Sequence, residues 1–327
     1  ISMLATNGVE DSRIGGSPLE KSTRYVSFSE KKEGRYAYYR DPRLIDSIHR
    51  QTYLDACDHL FKTYERLSEP VWEHVRRLMP REDGTSEGAY ERSVKAKGYD
   101  LIRGLLPTAT QTNMGVFGNG RFFETLIRKM HVNALTELRE MGQSAFKELS
   151  KVIPSFIRRA DLEHPHFQDF KVFSRDKIEL IEVFCNENQP VPGTPSGKME
   201  VKLVDYDSEA DIHVIAGLLY PYTDCSMEEL YQMVRKIGVD EKRSLLEDSV
   251  ALRKHRRHKP GRELEMPYYT FDLVGDYGMY RDLQRHRLLT QERQPLSTRY
   301  GYEKPVEIDE AGPVSYTHLT LPTILLV

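Results

Sequence analysis

The densest chemistry in this 327-residue sequence is Arg285-His286-Arg287, followed by Glu292 and then Ser297-Thr298-Arg299-Tyr300. Two guanidiniums around an imidazole are planar, permanently charged donors suited to bidentate contact with phosphate or an anionic pyrimidine edge. Standing alone, the triplet equally describes a solvated basic helix end, where arginine complements the helix dipole. An earlier set comprises Arg103-Gly104-Leu105-Leu106-Pro107, Thr110, Thr112, Asn119, Arg121, Ala134, Glu137, Leu138 and Arg139. On a helix, Arg121, Thr125 and Lys129 fall at i, i+4 and i+8, a stripe that can face a ligand or plain solvent.

Other groups promise less. Cys57, Cys185 and Cys225 are odd in number, far apart and free of any CxxC pair. That reads as a reducing, cytoplasmic setting with no zinc site, disulfide frame or evident thiol nucleophile. Asp205, Asp207, Glu209 and Asp211 lack the glycine and distal glutamate of a calcium loop, so they read as surface and no metal is expected. The basic run 253–259 could meet nucleic acid, but a solvated loop is its usual fate, and a net charge of -3 gives no wider reason to expect DNA or RNA. Hydrophobic residues at 39% and charged residues at 30% describe a globular chain, and no apolar run reaches the length of a membrane span.

The elements that must position these groups follow from periodicity. Leu54, Cys57, Leu60, Phe61, Tyr64 and Leu67 recur at helical spacing, as do Leu126, Met130, Ala134, Leu138 and Met141, which predicts a long helix from about Arg121. The stretch 80–88 reads as a turn between helices, and Pro107 and the glycines at 115–120 break the chain before that helix. Residues 189–197 read as a linker. Beyond it, 199–205 and 268–274 read as strands, and 227–237 and 279–287 as helices. The fold class is α+β in two halves, the first mostly helical and the second mixed sheet and helix. The expected limits are 1–175 for a first half, 176–197 for the connection and 198–313 for a second half. Residues 314–327, back-translated, resemble a transposon-end sequencing adapter read in frame, so they are expected to be a scar on a fragment cut at both ends.

The motifs, taken together, resemble the flavin-dependent thymidylate synthase family, in a tandem form. That family carries Arg-His-Arg, seven residues, then Ser, with Glu shortly before it and Arg-Tyr after. Here Ser297 stands two residues late, which reads as a loop insertion. Glu265 and Thr270-Phe271 fall on the upstream family segment, where Glu263 replaces a proline. Arg103 to Pro107, Asn119-x-Arg121 and Ala134-x-x-Glu137 follow the family's C-terminal segment in order and spacing. Lys129 occupies the place of a nucleotide-binding arginine, Thr125 that of an asparagine and Leu135 that of a glutamine. Ser-Thr-Arg-Tyr occurs twice, at 22–25 and 297–300, yet Asp11-Ser12-Arg13-Ile14 stands where the first triplet should be.

The resemblance implies reductive methylation of dUMP to dTMP, with FAD as cofactor and NADPH and methylenetetrahydrofolate as co-substrates. It implies catalytic roles for Arg287, Ser297 and Lys129, and substrate contacts from Arg103, Ser22, Arg24, Glu292 and Arg299. It implies flavin contacts from Arg285, His286, Arg287, Asn119, Arg121 and Glu265. It also implies a homo-oligomer, or a pseudo-dimer that the two halves build within one chain. The departures support a competing expectation, a non-catalytic homologue that binds nucleotide or flavin in a structural or regulatory role.

Overall fold

Tyr53, Cys57, Leu60, Phe61, Tyr64, Leu67, Val71 and Val75 recur every three or four positions, and in the computed structural model they form the buried stripe of one helix, Arg50–Leu78. The structure describes residues 1–189, 193, 199–286, 288–301 and 305–311. In chain order its elements are α1 (Met3–Glu10), β1 (Gly16–Glu20), β2 (Lys31–Lys32), β3 (Arg35–Tyr36), α2 (Pro42–Ile45), α3 (Arg50–Leu78), α4 (Glu87–Ile102), β4 (Met114–Gly118), α5 (Gly120–His131), α6 (Thr136–Leu149), α7 (Pro154–Ile157) and α8 (Pro165–Asn188). There follow β5 (Glu200–Tyr206), α9 (Ala210–Leu219), α10 (Met227–Val234), α11 (Val239–Ala251), β6 (Tyr269–Val274), α12 (Tyr277–Gln284) and α13 (Val306–Glu310). Helices dominate and the sheets are small, as an α+β class requires. No helix among the described residues is long and apolar enough to cross a membrane.

The chain divides into two units, Ile1–Gly197 with Asp276–Val327, and Lys198–Gly275. Asp276 onward, assigned from sequence to the second half, thus lies with the first unit. Helix α8 runs through the first part of 176–197; most of 189–197 and all of 312–327, including the expected scar, lie outside the described residues.

The first unit has two apolar clusters, and α1 serves both. Met3 joins Phe61, Tyr64, Leu67, Tyr99 and Ile102 between α3 and α4, where the rings of Tyr36 and Phe61 stack at 4.9 Å. Ala5 and Val9 join Phe122, Leu126, Ile127 and Leu138 from α5 and α6. The long helix expected from Arg121 is in fact two helices. Asn133 breaks it, its Oδ1 accepting the Leu135 N–H at 2.9 Å, a local side-chain bond that competes with helix continuation. Strand β1 pairs antiparallel with β4, from Gly16 opposite Gly118 to Glu20 opposite Met114. Gly15 supplies the positive φ of 82° at the turn from α1 into β1.

Helices α3 and α4 meet closely at Gly98. A Cβ there would lie 2.4 Å from Cδ1 of Trp72, whose ring packs edge-on against Tyr99 at 5.6 Å. Gly98→Ala should therefore destabilise the first unit by about 1–3 kcal/mol, overpacking outweighing the roughly 1 kcal/mol gain in helix propensity. Trp72 is the sole tryptophan, so a fluorescence-monitored urea melt reads the site directly; a variant as stable as the parent would mean the ring moves aside freely.

In the second unit, β5 and β6 pair antiparallel with a register shift between Leu203 and Asp205. Ile212, Ile215, Ala216, Leu230 and Val234 form its small core between α9 and α10. The helix expected over 227–237 ends at Val234 after starting on a capping box from Ser226 and Glu229.

Candidate functional site

Helix α12 ends at the Arg-His-Arg motif, and its sequence dictates how it sits. Asp276 caps it, Oδ1 accepting the Met279 N–H at 2.9 Å. Tyr277, Arg281 and Gln284 then share one face at helical spacing, and that face meets α1. The Tyr277 hydroxyl donates to the Met3 carbonyl at 2.8 Å, and Gln284 Nε2 donates to the Asn7 carbonyl at 2.9 Å and to Asp11 Oδ1 at 2.5 Å. Helix α1 matches α12 in form: each has eight residues and a side-chain cap, Ser2 Oγ accepting the Ala5 N–H at 3.0 Å.

Charge locks the two helices together. Glu20, the last residue of β1, has a side chain with no exposed surface. Its Oε1 accepts from Arg281 Nη2 at 2.5 Å and its Oε2 from Arg285 Nη2 at 2.7 Å. Glu10 Oε1 lies 3.7 Å from Arg285 Nε. Asp11 accepts from Arg293 Nη2 at 2.6 Å, and Arg13 donates to the His286 carbonyl at 2.9 Å. The acids come from α1 and β1, and most of the guanidiniums come from α12 and the segment just beyond it. Burial pushes the Glu10 carboxyl up to about 7, against the pull of Arg285. One Glu10 oxygen, both side-chain polar atoms of Asn7, Gln284 Oε1, Arg281 Nε and Ser12 Oγ are buried without a hydrogen-bond partner among the described residues.

The Ser-Thr-Arg-Tyr loops fold alike. Ser22 Oγ accepts the Arg24 N–H at 3.2 Å, and Ser297 Oγ accepts the Arg299 N–H at 3.4 Å. Arg24 grips Asp100 Oδ2 through Nε and Nη2, at 3.0 and 2.7 Å, which raises its guanidinium's affinity for its proton. Arg103, on the turn that ends α4, reaches Asp100 at 3.6 Å and Asp282 of α12 at 3.7 Å. Ser22, Arg24, Arg103 and Arg285 are thus joined through Asp100, Asp282 and Glu20 into one cluster with α12. His286, Glu292, Ser297 and Arg299 are exposed; Arg299 donates to the Gly193 carbonyl and lies over the Tyr300 ring at 5.7 Å. Arg287 lies outside the described residues.

The remaining expected residues stand on other elements. Asn119 caps α5, Oδ1 accepting the Phe122 N–H at 2.9 Å. Arg121 and Lys129 are exposed on α5. Arg121 borders a cavity of 120 Å³ with Ser155, Phe156, Arg158 and Arg159. Neither described cavity is lined by residues 285–301. Glu265 belongs to the second unit, paired with Arg262 at 3.0 Å. There too, the acids near β5 are taken up in ion pairs, Asp207 with His213 at 2.5 Å, Glu209 with Arg235 at 2.8 Å and Asp211 with Lys242. Among the described residues no group of acids, histidines or cysteines could hold a metal. Burial pushes the Cys57 thiol up to about 12.

Sequence reasoning missed Glu10, Asp100, Arg281 and Asp282, and placed Glu20 in the Glu-x-Ser-x-Arg-Tyr motif without a role in the site. Two carried a readable signal: Glu20 stands two residues before Ser22, and Arg281 stands one helical turn before Arg285.

Comparison with known proteins gives one family and several long relatives. Residues 1–155 match the family described as thymidylate synthase complementing protein, Thy1. A UPF0159 protein of Chlamydia pneumoniae is 45% identical over 314 residues, covering 94% of this chain and 58% of its own length. A UPF0159 protein of Chlamydia muridarum is 43% identical over 311 residues, with the same coverage. One of Thermoplasma acidophilum is 32% identical over 329 residues, covering 93% of this chain and 63% of its own. The chain therefore spans about three fifths of the length of the curated relatives it matches.

Proposed function

We propose, from the match of residues 1–155 to the thymidylate synthase complementing protein family, that the whole protein is a cytoplasmic flavin-dependent thymidylate synthase converting dUMP to dTMP. The observation that carries this reading is the guanidinium cluster around α12. Arg24, Arg103 and Arg285, drawn from three distant stretches of sequence, converge through Glu20, Asp100 and Asp282 within one unit. A dianionic nucleotide needs fixed forks of this kind. Their present carboxylate partners do not bar it. The side chain of Arg24 is 46% exposed, and an ion pair open to water to this extent is worth about 0.2–1 kcal/mol, so a phosphate can displace it; Arg285, 44% exposed, keeps a solvent-facing edge although the Glu20 side chain beside it is buried.

The residues present fit a flavin as well as a nucleotide. Arg285 and His286 at the end of α12, and Arg299 on the segment beyond it, offer exposed cationic or hydrogen-bonding edges, suited to pyrophosphate and to the dioxo edge of the ring system. Bound FAD, reduced by NADPH, supplies the hydride, with methylenetetrahydrofolate as carbon donor, so no thiol nucleophile is required. The chain's own groups hold the phosphate, polarise the uracil and orient it; Ser22 and Ser297 lie beside arginines for that purpose. Lys129 and Arg287 complete the proposed catalytic set, with Asn119 and Arg121 as further cofactor contacts and Glu292 toward substrate. In this reading the matched helices α1 and α12, with their like-folded Ser-Thr-Arg-Tyr loops, descend from one duplicated unit. They pack as a pseudo-dimer, or within a homo-oligomer.

One observation favours a second reading, a homologue that binds nucleotide or flavin without turnover. Arg285 is already claimed by the fully buried Glu20, and Asp11-Ser12-Arg13 replaces the first triplet. One experiment separates the two. The whole protein should retain FAD and form dTMP. Arg103→Ala with Arg287→Ala should lower kcat/KM for dUMP at least about tenfold, roughly 1.4 kcal/mol of transition-state binding. Flavin retention without dTMP would establish the second reading, and turnover untouched by the double substitution would defeat the proposed site.

A further inference from the structure

A groove of 430 Å³ lies along α5 and α8, lined by Arg128, Arg159, His166, Asp169, Phe170 and Phe173. All but Arg128 fall beyond residues 1–155, outside the family match. We propose that this groove is a binding site for a phosphorylated planar heterocycle, a mononucleotide in size and chemistry, separate from the α12 cluster and independent of the flavin reading.

Arg128 is the centre of the groove's chemistry. Its guanidinium lies over the Phe170 ring, 4.3 Å from the centroid. Stacking of this kind occupies the face of the guanidinium and leaves its in-plane donors for another partner. Arg128 Nε is buried and has no hydrogen-bond acceptor among the described residues. Most arginines near acids in this chain are paired, among them Arg24, Arg76, Arg235, Arg281 and Arg285. Neither Arg128 nor Arg159 has a carboxylate partner among the described residues. Arg159 also borders the smaller cavity, where Arg121 and Arg158 stand with one acid, Glu124, so the excess of guanidiniums extends past the groove. Arg128 and Arg159 outweigh the single acid, Asp169.

Charge alone would describe a phosphate patch, but the rings say more. Phe173 is 62% exposed, and Phe170 lines the same groove. Apolar walls bearing a few polar groups are what small-molecule sites use, and 430 Å³ falls within the usual range of about 300–1,000 Å³. A purine or pyrimidine ring can stack on phenylalanine while its phosphate meets the guanidiniums, and Asp169 can accept from a ring N–H or amino group. Most of the groove's lining, from His166 to Phe173, comes from α8.

Isothermal titration of the full chain with AMP, adenosine and inorganic phosphate tests this. AMP should bind at least tenfold more tightly than adenosine or phosphate alone. Arg159→Gln and Arg128→Gln should each weaken AMP at least tenfold, and Phe170→Leu should erase the advantage of AMP over ribose 5-phosphate. Arg159 is exposed, so its substitution leaves the fold intact even if Arg128→Gln does not fold. Arg285→Ala should leave AMP affinity unchanged. The proposal is overturned if AMP binds no better than phosphate, if Arg159→Gln binds like the parent, or if Arg285→Ala abolishes AMP binding.

Discussion

Arg281→Met should lower the unfolding free energy of the first unit by about 3–5 kcal/mol, the cost of leaving a buried carboxylate without its main partner. Arg281 is buried, its side chain 9% exposed, and Glu20 beneath it has no exposed surface. Arg285 would remain as a second partner for Glu20, but from a half-exposed position that water screens. The methionine replaces the apolar stem and gives up only the weak hydrogen bond that Arg281 Nη1 donates to the Met3 sulfur at 3.4 Å, so most of the loss is that of the charge. Glu20→Gln with Arg281→Met should recover most of the loss, because a neutral pair no longer strands an ion. Urea titration followed by circular dichroism measures both. A single variant within about 1 kcal/mol of the parent would mean that Glu20 reaches water when Arg281 is gone. The pairing would then be incidental to how α12 is held.

That pair also marks what the sequence could and could not announce. Apolar spacing is enough to find α3, because a helix that buries one stripe must repeat it every three or four residues. The strand near 200 is legible from its alternation at period two, although every residue of β5 and all but Val274 of β6 are exposed, and the turn at 80–88 rests on Pro80 and Gly84. The expected long helix from Arg121 fails because its apolar positions continue in phase across Asn133, and periodicity is blind to one side chain bonding its own backbone. Residues of the candidate site are legible as types and spacings: Arg285, Arg103 and Ser22 can be picked out. Their partners cannot. Glu10, Asp100 and Asp282 are ordinary acids in helical stretches, and only the fold brings residues 10 and 20 against 281 and 285. The capping role of Asn119 is also hidden, since a cap and a ligand contact ask for the same polar atom. The groove at Arg128 has no sequence signal because α8 supplies most of it, from a stretch with no motif.

The second large effect is a pH dependence with an unusual sign. Burial lifts the Glu10 carboxyl from 4.5 to about 7 in the folded protein. The facing charges are Arg281 and Arg285 from α12, Glu20 from β1 and Asp11 beside it. Tyr277 and Tyr280 also face it, but both phenols are pushed upward by burial, Tyr280 to about 12, and stay neutral throughout the window. Between pH 4.5 and 7 the folded chain holds a proton at Glu10 that the unfolded chain has released. Stability contributed by this group therefore falls as pH rises through that window and levels off above it, by at most about 3 kcal/mol. Glu10→Gln keeps the shape of the neutral acid and cannot ionise. It should remove this part of the slope and make the protein more stable than the parent at pH 8 by up to about 3 kcal/mol, while near pH 4.5 the two should agree closely. Urea denaturation at half-unit steps across roughly pH 4.5 to 8.5, spanning both ends of the titration, compares them. If the Glu10→Gln variant is instead less stable than the parent at about pH 8, the ionised Glu10 is held by Arg285 more strongly than burial opposes it. Arg285 would then owe its position to a true ion pair rather than to Glu20 alone.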